Sequence, residues 1–184
     1  RRDARLLAII NAADLVAGMS DARFNWRPGP GRWSVAECLE HLSVGARFVL
    51  PALDDGIADA RARGLDGSGP FRRGWLDRMM AWSMEPPARF RMKTWRQITP
   101  PPAPMSVMPV LAEFQAAHDA LAERWARAEG LDWGRAVVQS PLSARVRMSF
   151  GGYVQFLLAH CRRHLWQARQ VTRQRVIGQH LLDG

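Results

Sequence analysis

His160 and His164 stand four residues apart in Leu158-Ala159-His160-Cys161-Arg162-Arg163-His164-Leu165-Trp166. On a helix, residues at this spacing lie one above the other on one face. Two imidazoles so placed can grip one metal ion, as in the helix motif of zinc proteases. A third histidine, His41, lies far upstream in a second strongly helical segment. An i, i+4 pair alone arises on many helices by chance. A metal reading gains force only if His41 reaches the same point from another helix.

The apolar spacing predicts four long helices. Residues 3–19 form the first, and the turn-rich run 20–33 follows it. Ser34-Val35-Ala36-Glu37 is a capping box that starts the second, with Trp33 placed to staple onto Cys38. Its stripe runs through Val35, Leu39, Leu42, Ala46, Val49, Leu53 and Ile57, and Pro51 predicts a kink or break. Residues 63–106 are poorly patterned and read as a packed, irregular crossover with a short helix at Trp75–Trp82. Pro100-Pro101-Pro102-Ala103-Pro104 should be extended and polyproline-like. The third helix spans roughly 107–129, with Leu111, Phe114, His118, Leu121 and Trp125 facing inward. Residues 131–149 connect it to the fourth, with short extended pieces around Val137-Val138 and Arg145-Val146-Arg147. The fourth helix spans about 149–174.

Four such helices read as an all-α four-helix bundle, an architecture that builds metal sites from side chains on facing helices. Stepping 100° per residue puts His164 inside the apolar face of the last helix and His160 at its edge. His41 lies at the edge of the second helix's stripe, and Gly45 leaves room one turn later. Three imidazoles from two helices would leave zinc an open position. Nickel and iron accept the same ligands, so the ion's identity does not follow.

The order Trp26-x-Pro28, then Trp33-Ser34-Val35-Ala36-Glu37-Cys38-Leu39-Glu40-His41-Leu42, then His160-x-x-x-His164, resembles the DinB/YfiT-like superfamily. The likeness covers nearly the whole chain. It implies a four-helix bundle holding a divalent metal through His41, His160 and His164. It also implies, for some members, transfer or isomerisation with a low-molecular-weight thiol such as mycothiol, bacillithiol or glutathione.

Other residues could join the site. His118 faces the core of the third helix and reads as a hydrogen-bonded core histidine ahead of a fourth ligand or pocket base. His180 reads as a surface residue. Cys38 and Cys161 sit on apolar faces and read as packing, although thiolate ligation is conceivable. Tyr153, on the histidine face, could donate a proton or hydrogen bond at the open position, and Gln167 could orient a ligand. Trp75, Trp82 and Trp95 either wall an apolar pocket or fill the core. No carboxylate has an obvious general-base position, since Glu37 serves the cap and Glu40 points away from the His41 edge.

The 184 residues suit one domain spanning 1–184, and 47% apolar content supports a real core. The net charge of +9 comes from scattered arginines with Lys93 the only lysine, which argues against specific nucleic-acid binding. No apolar run approaches the ~20 residues that span a bilayer. No signal peptide is recognised, and two cysteines make no disulfide scaffold, so a cytoplasmic setting is expected. The functional readings are a metal-dependent thiol transferase or isomerase acting on a small molecule, a metal-dependent hydrolase, and a non-catalytic metal- or small-molecule-binding bundle. Helix faces of this kind can pair as a homodimer, though no sequence feature establishes one.

Overall fold

The computed structural model describes residues 2–72, 74–87, 93–101 and 104–180, with side chains described from 7 to 175 within those ranges. The structure is mostly helical, at 63% helix, with six α-helices and one two-stranded sheet among the described residues. The order is α1 (Arg2–Val16), α2 (Asp21–Phe24), α3 (Val35–Ala62), α4 (Trp75–Met84), a 3₁₀ turn (Arg96–Ile98), α5 (Val107–Arg127), β1 (Val137–Gln139), β2 (Arg147–Ser149) and α6 (Phe150–His180). The strands pair antiparallel, with Val138 opposite Met148. Helix α3 packs against α5 and α6, α1 lies on α5 and α6, and α4 lies on α6.

The capping box at the start of α3 is complete. Ser34 Oγ accepts from the Glu37 amide at 3.2 Å, and the Glu37 carboxylate accepts from the Ser34 amide at 2.9 Å. Arg27 adds a two-pronged contact to the same carboxylate, at 2.8 and 2.6 Å. The turn-rich run thus fastens to α3, and within it Ser20 caps the unforeseen short helix α2. Asp21 of α2 in turn serves the start of α5, accepting from the Val107 amide at 3.0 Å and the Ser106 hydroxyl at 2.9 Å.

Several expectations change. Helix α3 runs unbroken through Pro51. Pro51 faces solvent, where water can serve the carbonyl that loses its amide partner. Trp33 packs against the cluster that holds Cys38, and its ring also lies 4.8 Å from that of His41. Helix α6 extends beyond residue 174, to His180. The short helix α4 forms as expected, but Trp75 and Trp82 are 69% and 51% exposed and line no part of the cavity described below, whereas Trp95 does line it. Part of the proline run, and the side chain of His180, lie outside what is described.

The core falls into two apolar clusters. One holds Val35, Cys38, Leu39 and Leu42 of α3 with Cys161, Leu165 and Ala168 of α6. The other holds Ala46, Val49, Leu53 and Ile57 of α3 with Phe150, Tyr153 and Val154 of α6. Both free thiols are buried, and burial raises both; that of Cys161 is pushed up to about 12. They pack as small apolar groups.

Helix α4 is pinned at both ends. At its first turn, the buried carboxylate of Asp77 accepts from the Ser149 hydroxyl at 2.5 Å, and that hydroxyl accepts from the Gly152 amide at 3.0 Å. Near its last turn, Arg163 donates to the Ser83 carbonyl at 3.1 Å. A Cβ at Gly152 would stand 2.2 Å from Asp77 Cγ and 2.5 Å from its Cβ, so only glycine fits. A Cβ at Gly45 would meet nothing within 4 Å. Gly152→Ala should therefore cost about 1–3 kcal/mol in urea denaturation. Gly45→Ala should be neutral or stabilise by up to about 1 kcal/mol, because alanine favours the helix interior.

Candidate metal centre

His41 projects from the second turn of α3, which the capping box orients, and His160 and His164 project one turn apart from the middle of α6. Each offers one ring nitrogen to a group whose ligating atoms all lie within 4.8 Å of one another. The ring centroids are 4.5 to 5.0 Å apart. His41 Nε2 and His160 Nε2 are 3.1 Å apart. Nitrogens at ~2.0–2.1 Å from one ion would be about 2.9–3.4 Å apart for right-angle to tetrahedral geometry, so that pair suits a shared ion.

The tautomer of His41 is set from outside the cluster. Its Nδ1 lies 2.7 Å from the carbonyl oxygen of Ile98, which can only accept, so Nδ1 carries the proton. The Nε2 lone pair is thereby turned toward His160, as a metal-ligating histidine requires. Nδ1 of His164 is buried with no hydrogen-bond partner. Gln167 stands close enough to favour the charged ring slightly, without closing a bond to that atom. Such an orphaned nitrogen is costly unless something satisfies it.

All three rings are held neutral. Burial, then the neighbouring His41, Arg163 and His118, drive His160 down to about 3. Burial, then His160, His41 and Arg163, hold His164 well below the ordinary histidine range. Burial lowers His41, opposed by the Ile98 bond. Neutral imidazole is the ligand form, so the donor set fits a borderline divalent ion such as zinc, nickel or iron.

The cluster opens into a cavity of about 930 Å³ between the two apolar clusters, lined by residues 41–49 of α3 and 153–167 of α6. Tyr153 and Gln167 both line it. Tyr153 is 4% exposed, and burial, partly opposed by Ser140, raises its phenol to about 12. His118 lines the wall but stands outside the three-histidine group, bonding the Phe114 carbonyl at 2.8 Å and facing Cys161 Sγ at 3.7 Å. Among the described residues, no aspartate or glutamate lines the cavity. Glu40 turns instead toward Arg47, at 3.8 Å.

Several participants escaped sequence reading. The Trp33 ring covers His41 and lies 5.6 Å from that of His164. Phe156 lies parallel to His160 at 6.1 Å. Its place one turn before His160 was a readable signal, whereas Ile98 acts through a backbone carbonyl and leaves none.

The depressed imidazoles make the metal-free protein acid-sensitive. Below the unfolded-state value of ~6.5, the unfolded chain binds more protons than the folded one, so stability falls as pH falls. Between pH 7.5 and 5.5, each buried neutral histidine should cost about 1 kcal/mol, read by urea denaturation after chelation. His160→Gln should lose correspondingly less over that interval. An equal loss in both proteins would refute the account.

A search of family models finds the DinB superfamily, matched over residues 10–168. No curated protein and no solved structure matches the chain. The family match takes in α3 and the stretch of α6 that carry the three histidines, and the chain belongs to the DinB superfamily.

Proposed function

We propose that this chain is one four-helix-bundle domain, with α1, α3, α5 and α6 as its helices. It binds one divalent metal through His41, His160 and His164, and transfers or isomerises a small molecule with a low-molecular-weight thiol. The observation that carries this reading is the cluster of three neutral imidazoles opening into a cavity with no carboxylate among its described lining residues. When bound, the metal would supply Lewis acidity that keeps a thiol deprotonated at neutral pH. That chemistry would need no protein base, and the described wall offers no carboxylate to act as one.

The chain's own residues do the rest. The Ile98 carbonyl holds His41 in the ligating tautomer. Trp33 and Phe156 cover the imidazoles and keep water from their faces. The Tyr153 phenol stays protonated far above neutral pH, so it serves as a hydrogen-bond donor to a substrate and not as a base. Hydrolysis finds less support, because a general base beside the attacking water is missing from the described wall.

Elemental analysis of purified protein should find about one metal per chain, lost in His160→Ala. Metal-loaded wild type should turn over electrophiles only when mycothiol, bacillithiol or glutathione is added. Turnover without thiol would favour the hydrolase. Full metal occupancy with no turnover across a broad panel would favour a binding module.

A further inference from the structure

The two ends of the cavity differ in chemistry. Among the described residues, the lysine and arginines that line the cavity are Arg32, Lys93 and Arg163, and Arg163 stands among the histidines. Arg163 lies between His160 and His164 on α6, is only 8% exposed, and acts on both imidazoles. Arg32 precedes Trp33, whose ring covers His41. Lys93 lies on the segment leading to Ile98, whose carbonyl holds His41. Away from the histidines the wall is mainly apolar, with Val49, Leu121, Met148 and Tyr153 of the cluster at the hairpin end and Leu157 packed against it, and Ser140 and Ser143 of the hairpin add hydroxyls. Along α6 this arm runs seven residues from His160 to Tyr153, about 10 Å.

We infer that the second substrate is an amphipathic monoanion, an elongated apolar body carrying one acidic head. The head lies at the Arg163 end beside the histidines and the body fills the arm toward Tyr153. This deepens the thiol-transfer reading and rests on it for the word substrate; the binding itself follows from the walls. An anion at the histidine end meets the weakly hydrated guanidinium of Arg163, and no carboxylate stands among the described lining residues. A cation there is repelled, and a small polar molecule leaves the apolar arm unfilled. The volume is at the upper end of small-molecule sites, enough for a thiol beside such a molecule.

The test is calorimetric titration of the purified full chain with decanesulfonate, decanol and decylammonium. The sulfonate is a weak metal ligand, so its affinity reports the arginine end and not coordination. Decanesulfonate should bind once per chain and about tenfold more tightly than decanol, with decylammonium weakest. Butanesulfonate, too short to fill the arm, should bind at least about tenfold more weakly than decanesulfonate. Arg163→Gln should bring sulfonate and alcohol to within about threefold of each other. Should that variant fail to fold, the double change Arg32→Gln, Lys93→Gln at exposed positions should move the ratio in the same direction. Equal binding of sulfonate and alcohol, a preference for the ammonium, or indifference to chain length would overturn the inference. Selective sulfonate binding without any thiol-dependent turnover would instead overturn the transferase reading and leave this one standing. Thiol-dependent turnover of small neutral electrophiles by protein that ignores the sulfonate would do the reverse.

Discussion

His41 donates from Nδ1 to the carbonyl of Ile98, and the arrangement of the site follows from that bond. It joins α3 to a 3₁₀ turn more than fifty residues later in the chain. It also decides which nitrogen of His41 faces the partner histidines. An imidazole free to choose its tautomer would offer a proton as readily as a lone pair. Here one end is committed to a carbonyl that can only accept, and the other is left for ligation. Burial completes the arrangement by keeping all three rings neutral.

The site lies where the interior is not close-packed. Above and below it, α3 and α6 meet through two separate apolar clusters. Between them Gly45 presents no side chain, and the histidine face of α6 looks into open volume. Filling that space would gain dispersion and burial energy. The two clusters carry stability on either side, and the gap is available for chemistry. Helix α4 closes one wall with Met80 and Met84 and is fastened independently through Asp77 and Arg163. The Asp77 end is tied to Ser149, and neither residue lines the cavity, whereas Arg163 at the other end does.

What was legible in the sequence was local. The capping box of α3 is a four-residue signal whose partners are its own neighbours, and it formed as read. The short helix α4 and the two extended pieces that became β1 and β2 were visible as patterns, to within two or three residues, but their pairing was not. The break expected at Pro51 did not occur, because proline's cost depends on whether the freed carbonyl is wet, and that depends on which face the fold exposes. Trp75 and Trp82 went astray for a related reason. Tryptophan is usually buried, but only the docking of α4 through Asp77 determines which of its faces points outward.

The spacing of His160 and His164 and the helical phase of His41 were properties of the sequence alone, because helix geometry converts spacing into direction. The tertiary structure decided what those side chains meet. It placed His41 Nε2 3.1 Å from His160 Nε2, set the Ile98 carbonyl behind His41, and laid Trp33 and Phe156 over the rings. It also brought Arg32, Lys93 and Arg163 to the wall of one cavity. These relations join residues far apart in the chain, and periodicity constrains only neighbours on one element. Burial, which sets the charge of every group in the site, exists only once the elements have packed.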